Sequence, residues 1–316
     1  MTAEDHGSEP ETDRASDEPV MRAFRIAYDG REYAGFQRQP HARTVGGTVL
    51  RALADHGVLD RGDGPTHATP PGYAAAGRTD AGVSAVAQTV AFASPPWLTP
   101  RALNGRLPGS IRAWAAADVD PAFHATHDAA RRTYRYHLHA PDAADAASAR
   151  RAPEAVDDDR FRDALARLDG EHDFHNLTTD ETGTVRDLST RAIRTGDTLV
   201  VEIAADGFSR ALVRRIVAAA RAVGRGVTDL ASIDELLSAE SVSGARGVGP
   251  APPEPLVLWD VRYPGVEFAV DAEAAERARV AFAERHRDAR HAAAATGAVR
   301  ERLLEAASEA SGAETD

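Results

Sequence analysis

Two kinds of apolar periodicity, one of two residues and one of three to four, follow each other in the same order twice along this chain. That order limits the fold more than any single motif. Phe24, Ile26 and Tyr28 alternate as a strand closed by Asp29-Gly30. Residues 44–56 predict a helix with Val45, Val49, Leu50 and Leu53 on one side and Thr44 as N-cap. A Gly-, Pro- and Asp-rich loop covers 57–71. Strands are expected near 73–78 and 85–93, a short helix at 99–106 after Pro100, and strands near 111–118 and 132–139. This is the β-α-β-β-α-β order of a ferredoxin-like unit with one strand added. After an Ala-, Asp-, Pro- and Arg-rich link at 140–158 the pattern predicts a helix at 157–169, strands near 185–194 and 198–205, a helix at 209–223, a short helix at 231–239 and a strand at 256–263. The second half thus repeats the element order of the first without a matching sequence repeat, and the fold class is α+β.

The expected divisions are a tail over 1–20, an N-terminal lobe over 21–145, a C-terminal lobe over 146–265 and a helical extension over 266–316. The tail holds seven acidic residues against Arg14, half of the chain's net charge of −12, and its lack of large apolar residues predicts disorder. With no cysteine, disulfides, thiol nucleophiles and cysteine-ligated metals are excluded. Every one of the 37 basic residues is arginine. An acidic, alanine-rich, lysine-free composition points to adaptation to concentrated salt. At about 1 M salt the Debye length is roughly 3 Å, so net acidity does not exclude an RNA partner held by short-range arginine contacts. No apolar run is long enough to span a membrane and no secretory signal is evident, so a cytoplasmic location is expected.

Against this frame the segment Gly77-Arg78-Thr79-Asp80-Ala81-Gly82-Val83 stands out. It sets a guanidinium and a carboxylate two residues apart between glycines, on a strand end or strand-connecting loop, where scaffold-held functional groups lie. Taken alone, Thr and Asp before Gly also read as ordinary turn residues. Strand 132–139 puts Tyr134, Tyr136 and Leu138 on one face, either as core or as a platform for a base. On helix 209–223, Arg210, Arg214 and Arg221 form a narrow stripe beside Leu212, Val213, Ile216, Val217, Ala220 and Val223. Arg214 lies at the apolar boundary, where its head can meet a buried carboxylate; a solvated stripe is the alternative. An arginine fixed beside Asp80 would favour the ionised carboxylate. His172 and His175 read as packing or loop residues, no ligand spacing predicts a metal, and neither a phosphate loop nor a Gly-x-Ser-x-Gly element occurs.

Taken in order, these residues resemble the tRNA pseudouridine synthases of the A type over roughly 22–264. The matches are Tyr28-Asp29-Gly30, Tyr33, Gly35 and Phe36 to Gln39; Gly77 to Val83; Leu103-Asn104 and Leu107-Pro108; Phe123-His124-Ala125; and Arg132 to Tyr136. They continue with His172-Asp173-Phe174, Phe208, Arg210, Val213-Arg214, Ile216-Val217, Val223-Gly224, Ala251-Pro252, Leu256, Leu258 and Asp260-Val261-Arg262-Tyr263. Ser84, Ala211-Leu212 and Ala218 depart from the family pattern, where His, His-Met and Gly are usual. The resemblance implies isomerisation of uridine to pseudouridine in the anticodon stem-loop of tRNA at positions 38 to 40, with no cofactor and no metal. It implies that Asp80 is the nucleophile, Tyr134 stacks on the uracil and assists removal of the C5 proton, Arg214 pairs with Asp80, and Arg78 takes the place of the displaced nucleotide. It further implies a homodimer of two-lobed subunits with an RNA-binding cleft between the lobes.

Two other classes of function share part of this pattern. A catalytically silent RNA-binding protein on the same scaffold needs no Asp80, Tyr134 and Arg214 together. A glycosidase-like hydrolase needs a second carboxylate at a set distance, and none stands out.

Overall fold

The computed structural model describes residues 18–59, 68–141, 155–242 and 247–313, with side chains described as far as 307. Of the acidic tail expected to be disordered over 1–20, residues 1–17 lie outside the described residues, as does most of the link at 140–158, while Val20 already belongs to the first strand.

The first half runs β1 (Val20–Tyr28), α1 (Val45–Asp55), β2 (Ala74–Ala75), β3 (Ser84–Ser94), α2 (Pro100–Asn104), β4 (Ile111–Asp118) and β5 (Arg131–His139). The second runs α3 (Asp158–Leu168), β6 (Gly170–Asp173), β7 (Val185–Thr195), β8 (Thr198–Ala205), α4 (Leu212–Gly224), α5 (Leu230–Leu236), β9 (Leu256–Arg262), β10 (Ala269–Val270) and α6 (Ala272–Ala313). Local chemistry sets several boundaries. Thr44 and Thr99 cap α1 and α2 by accepting from the N–H groups of Gly47 and Ala102, and Pro100 supplies the first turn of α2. At the other end of α4, Gly226 turns left-handed with φ +67° and closes the helix.

The strands form one mixed sheet in the order β10-β4-β1-β3-β9-β5-β8-β7-β6, with β2 paired to β3. Neighbours are antiparallel except β3 and β9, which run parallel through Ser84↔Val257 and Ala85↔Leu258. That short parallel seam joins the β10-β4-β1-β3 part of the sheet to the β9-β5-β8-β7-β6 part. On β5 the residues at 132, 134, 136 and 138 face the interior, so Tyr136 and Leu138 are core. Helices α3 and α4 pack together on the second half, burying Phe161, Leu165, Leu168, Ile216, Val217 and Val223. Among the described residues no helix is long and apolar enough to cross a membrane.

Four elements differ from expectation. Helix α4 starts at Leu212 rather than 209, because Ala211 is left-handed with φ +55° and cannot continue a helix. Arg210 therefore drops out of the arginine stripe and pairs with Asp180 instead. Strands β6 and β10 carry no apolar alternation and exist through their pairing with β7 and β4. Strand β2 stops at Ala75, short of the expected 73–78.

Helix α6 is a single element of 42 residues, on the order of 60 Å long. Its first turns lie on β4 and α2. Arg285 then bonds the Asp29 carboxylate at 2.8 Å and Glu32 at 2.6 Å. Burial alone would raise the Asp29 pKa, but hydrogen bonds from Arg31 and Arg285 outweigh it and hold the carboxylate far below its usual range.

Burial has a clear consequence at high pH. It pushes the phenols of Tyr134 and Tyr263 up to about 12, and that of Tyr28 higher still. An unfolded phenol ionises near 10, so the stability these residues contribute is complete below about pH 10 and is lost as pH rises to about 12. Each of Tyr134 and Tyr263 accounts for roughly 2–3 kcal/mol on this scale. The melting temperature is expected to fall steeply between pH 10 and 12; a melting curve unchanged at pH 11.5 would contradict it.

Candidate active site at the Asp80 loop

Residues 76–83 join β2 to β3, and the chain is folded to hold them still. Gly82 turns with φ +83°, and the Val83 N–H closes the turn on the Asp80 carbonyl at 3.2 Å. Tyr28 and Thr79 share a hydroxyl hydrogen bond of 2.7 Å, Phe36 N–H donates to the Thr79 carbonyl at 3.0 Å, and Gln88 donates to the Gly77 carbonyl at 2.9 Å. Two glycines are required by close approach. A Cβ on Gly30 would sit 1.9 Å from the Val83 carbonyl oxygen, and one on Gly35, whose φ is +89°, would sit 2.8 Å from that of Thr79. The Tyr28-Asp29-Gly30 and Tyr33 to Phe36 segments are therefore the bed on which the loop lies. Ser84, a departure from the family pattern, accepts from the Gly30 N–H at 3.0 Å.

Asp80 is 38% exposed, and its Oδ2 accepts from Arg214 Nη1 at 2.9 Å. Arg214 sits in the first turn of α4, is only 15% exposed, and donates through Nε to the Ala251 carbonyl at 2.6 Å. The Ala251 N–H returns a bond to the Arg214 carbonyl at 3.1 Å. The guanidinium is thus fixed at both ends, with one fork on the carboxylate.

Tyr134 lies buried on β5, with Phe208 edge-on to its ring at 5.2 Å. Burial is the main cause of its raised pKa; the Arg132 charge opposes the shift and the Asp80 charge adds to it. At ordinary pH the residue therefore offers an aromatic face and an O–H, not a phenolate. Arg78 is exposed and makes no hydrogen bond or ion pair among the described residues. His172 lies on β6 and His175 in a short 3₁₀ turn; among the described residues no three His, Asp or Glu side chains converge as metal ligands.

Arg132 belongs to the quoted motifs, but no sequence signal marks out what it does here. Buried on β5, two residues before Tyr134, it donates through Nε and Nη2 to the Ala76 carbonyl at 2.9 and 2.7 Å, and through Nη2 to Thr126 at 2.6 Å. Its Nη1 reaches the Asp206 carbonyl, in the segment that leads to α4. One cation thereby ties the start of the Asp80 loop, the tyrosine strand and the approach to Arg214, and it makes no ion pair among the described residues. Arg132→Met is expected to lower kcat at least about tenfold with a much smaller change in substrate affinity, and Arg132→Lys to restore only part of it. Equal losses in kcat and affinity would mean that the residue serves the fold alone. The other arginine of that strand, Arg135, stacks on Trp259 at 3.8 Å and bonds Glu202 at 2.8 Å.

The fold and site together describe a mixed α+β protein with one part-exposed carboxylate held by a guanidinium near a buried tyrosine. Comparison with known proteins makes this specific. The family model described as tRNA pseudouridine synthase matches residues 164–264. The tRNA pseudouridine synthase A of Haloarcula marismortui is 57% identical over 270 residues, covering 85% of this chain and 95% of its own. That of Natronomonas pharaonis is 58% identical over 267 residues, 84% and 94% of the two chains, and that of Methanothrix thermoacetophila 36% over 291, 89% and 96%. The chain belongs to the tRNA pseudouridine synthase A family. The first two relatives come from halophilic archaea, in keeping with the acidic, lysine-free composition.

Proposed function

We propose that this chain isomerises uridine to pseudouridine in the anticodon stem-loop of tRNA, at position 38, 39 or 40, with Asp80 as the nucleophile. The observation that carries this is the 2.9 Å contact between Arg214 and Asp80, which spans 134 residues of sequence and keeps a part-exposed carboxylate paired and oriented. In the reaction the N1–C1′ bond breaks, the base turns, and a C5–C1′ bond forms. The C5 proton leaves and N1 is protonated, so composition is unchanged. Asp80 either adds to C6 of the ring or attacks or deprotonates the sugar, and each route starts from the ionised carboxylate.

Tyr134 would lie against the uracil and, through its neutral hydroxyl, assist removal of the C5 proton. Arg78 would take the space of the extruded nucleotide, whose unstacking costs a few kcal/mol and least in a loop. We read the two halves, 21–145 and 146–265, as ferredoxin-like lobes. The strand orders β4-β1-β3-β2 and β9-β5-β8-β7 support this, with α1 and α2 on the first set of strands and α3, α4 and α5 on the second; β5, although it lies before residue 146, belongs to the second set. The RNA would enter the cleft between the lobes of a cytoplasmic homodimer.

The test is tritium release from C5-tritiated uridine in unmodified tRNA at high salt. Release that depends on Asp80 is the expected result. Firm tRNA binding without release would make the chain a silent RNA-binding protein.

A further inference from the structure

Although the chain's net charge is −12, three guanidiniums line one recess on its surface. Where α2 ends, β4 begins and the first turns of α6 cross them, Arg101, Asn104, Gly105, Arg112, Ala274 and Arg277 enclose about 110 Å³. Arg101 and Arg277 share a single carboxylate: Glu273 accepts from both, at 2.5 Å each. Arg112 pairs with no carboxylate among the described residues. Its Nη1 donates to the Leu107 carbonyl at 2.9 Å, while its Nε is buried without an acceptor. Burial, and then the like charge of Arg277, lower its pKa. A buried donor lacking an acceptor and two cations facing each other are both unfavourable, and one bound anion relieves both.

We infer that this recess is an anion site built to take a phosphate group, and that a phosphodiester of bound tRNA fills it. A volume of about 110 Å³ gives room for a tetrahedral oxyanion. Arginine forks suit phosphate oxygens, and at about 1 M salt only preformed short-range contacts hold RNA against screening within roughly 3 Å. The identity of the RNA rests on the tRNA reading above; the anion site does not.

The test measures tRNA affinity over a KCl series, and melting temperature with and without inorganic phosphate, for the full chain and for Arg112→Gln and Arg277→Gln. Arg277 is 67% exposed, so its replacement leaves the fold intact even where loss of Arg112 does not. Expected for each variant is a three- to tenfold weaker affinity and a salt slope shallower by about one. Unchanged tRNA affinity, with a phosphate-induced rise in melting temperature that either variant abolishes, would keep the anion site and make its ligand free phosphate. Unchanged affinity together with an unchanged phosphate response would overturn it. Arginine-dependent tRNA binding in a chain that releases no tritium would refute the isomerase reading and leave this site standing.

Discussion

Asp80→Asn is expected to bind tRNA within about threefold of the unaltered chain and to release no tritium above background. The loss is about four orders of magnitude or more, the scale on which removal of a covalent nucleophile acts. The amide keeps the size and most of the hydrogen-bonding reach of the carboxylate, so the turn closed by the Asp80 carbonyl and Val83 N–H survives. What disappears is the negative charge that Arg214 holds at 2.9 Å. Binding is expected to depend instead on arginine contacts to phosphate, to which a carboxylate adds only repulsion. Turnover that persists in this variant would remove Asp80 from the mechanism, and the remaining question would be which other group attacks the nucleotide. A matching loss of affinity and turnover would instead show that the substitution had disturbed the loop.

Arg214→Lys separates charge from geometry. Lysine keeps the positive charge, yet an ammonium cannot reproduce the rigid fork that joins Asp80 Oδ2 to the Ala251 carbonyl. A hydrogen bond to a charged group is worth about 1.5–3 kcal/mol, so loss of the oriented bond predicts a fall in kcat of about 10- to 150-fold. Affinity for tRNA is expected to stay within a few-fold. Single-turnover rates and KM measured together distinguish this from a binding defect. If the variant turns over like the parent chain, the guanidinium geometry is irrelevant and charge alone suffices.

Much of the fold was legible in the sequence because it depends on neighbours a few residues away. Strands β4 and β8 lie where their alternation predicts, at 111–118 and 198–205, and the Thr44 cap starts its helix. The Asp80 loop falls between two strands because glycines and a short polar run interrupt two apolar ones. The limits of this reading show on α4. A 3.6-residue stripe grouped Arg210 with Arg214, yet the left-handed Ala211 separates them, and the Arg210 backbone beside it donates to the Asp180 carboxylate and accepts from the Thr178 hydroxyl, both about thirty residues away in sequence.

Residue type, periodicity and capping thus belonged to the sequence: an α+β chain, with a carboxylate on a tight loop and an arginine at the edge of an amphipathic helix. Tertiary structure alone decided that β3 and β9 meet in parallel, that β6 and β10 are strands, that Arg214 reaches Asp80, and that Arg132 binds the carbonyls of three separate segments. Periodicity and caps act within a turn or two of chain. A contact between residues 134 positions apart depends on strand order and packing, which no local window contains.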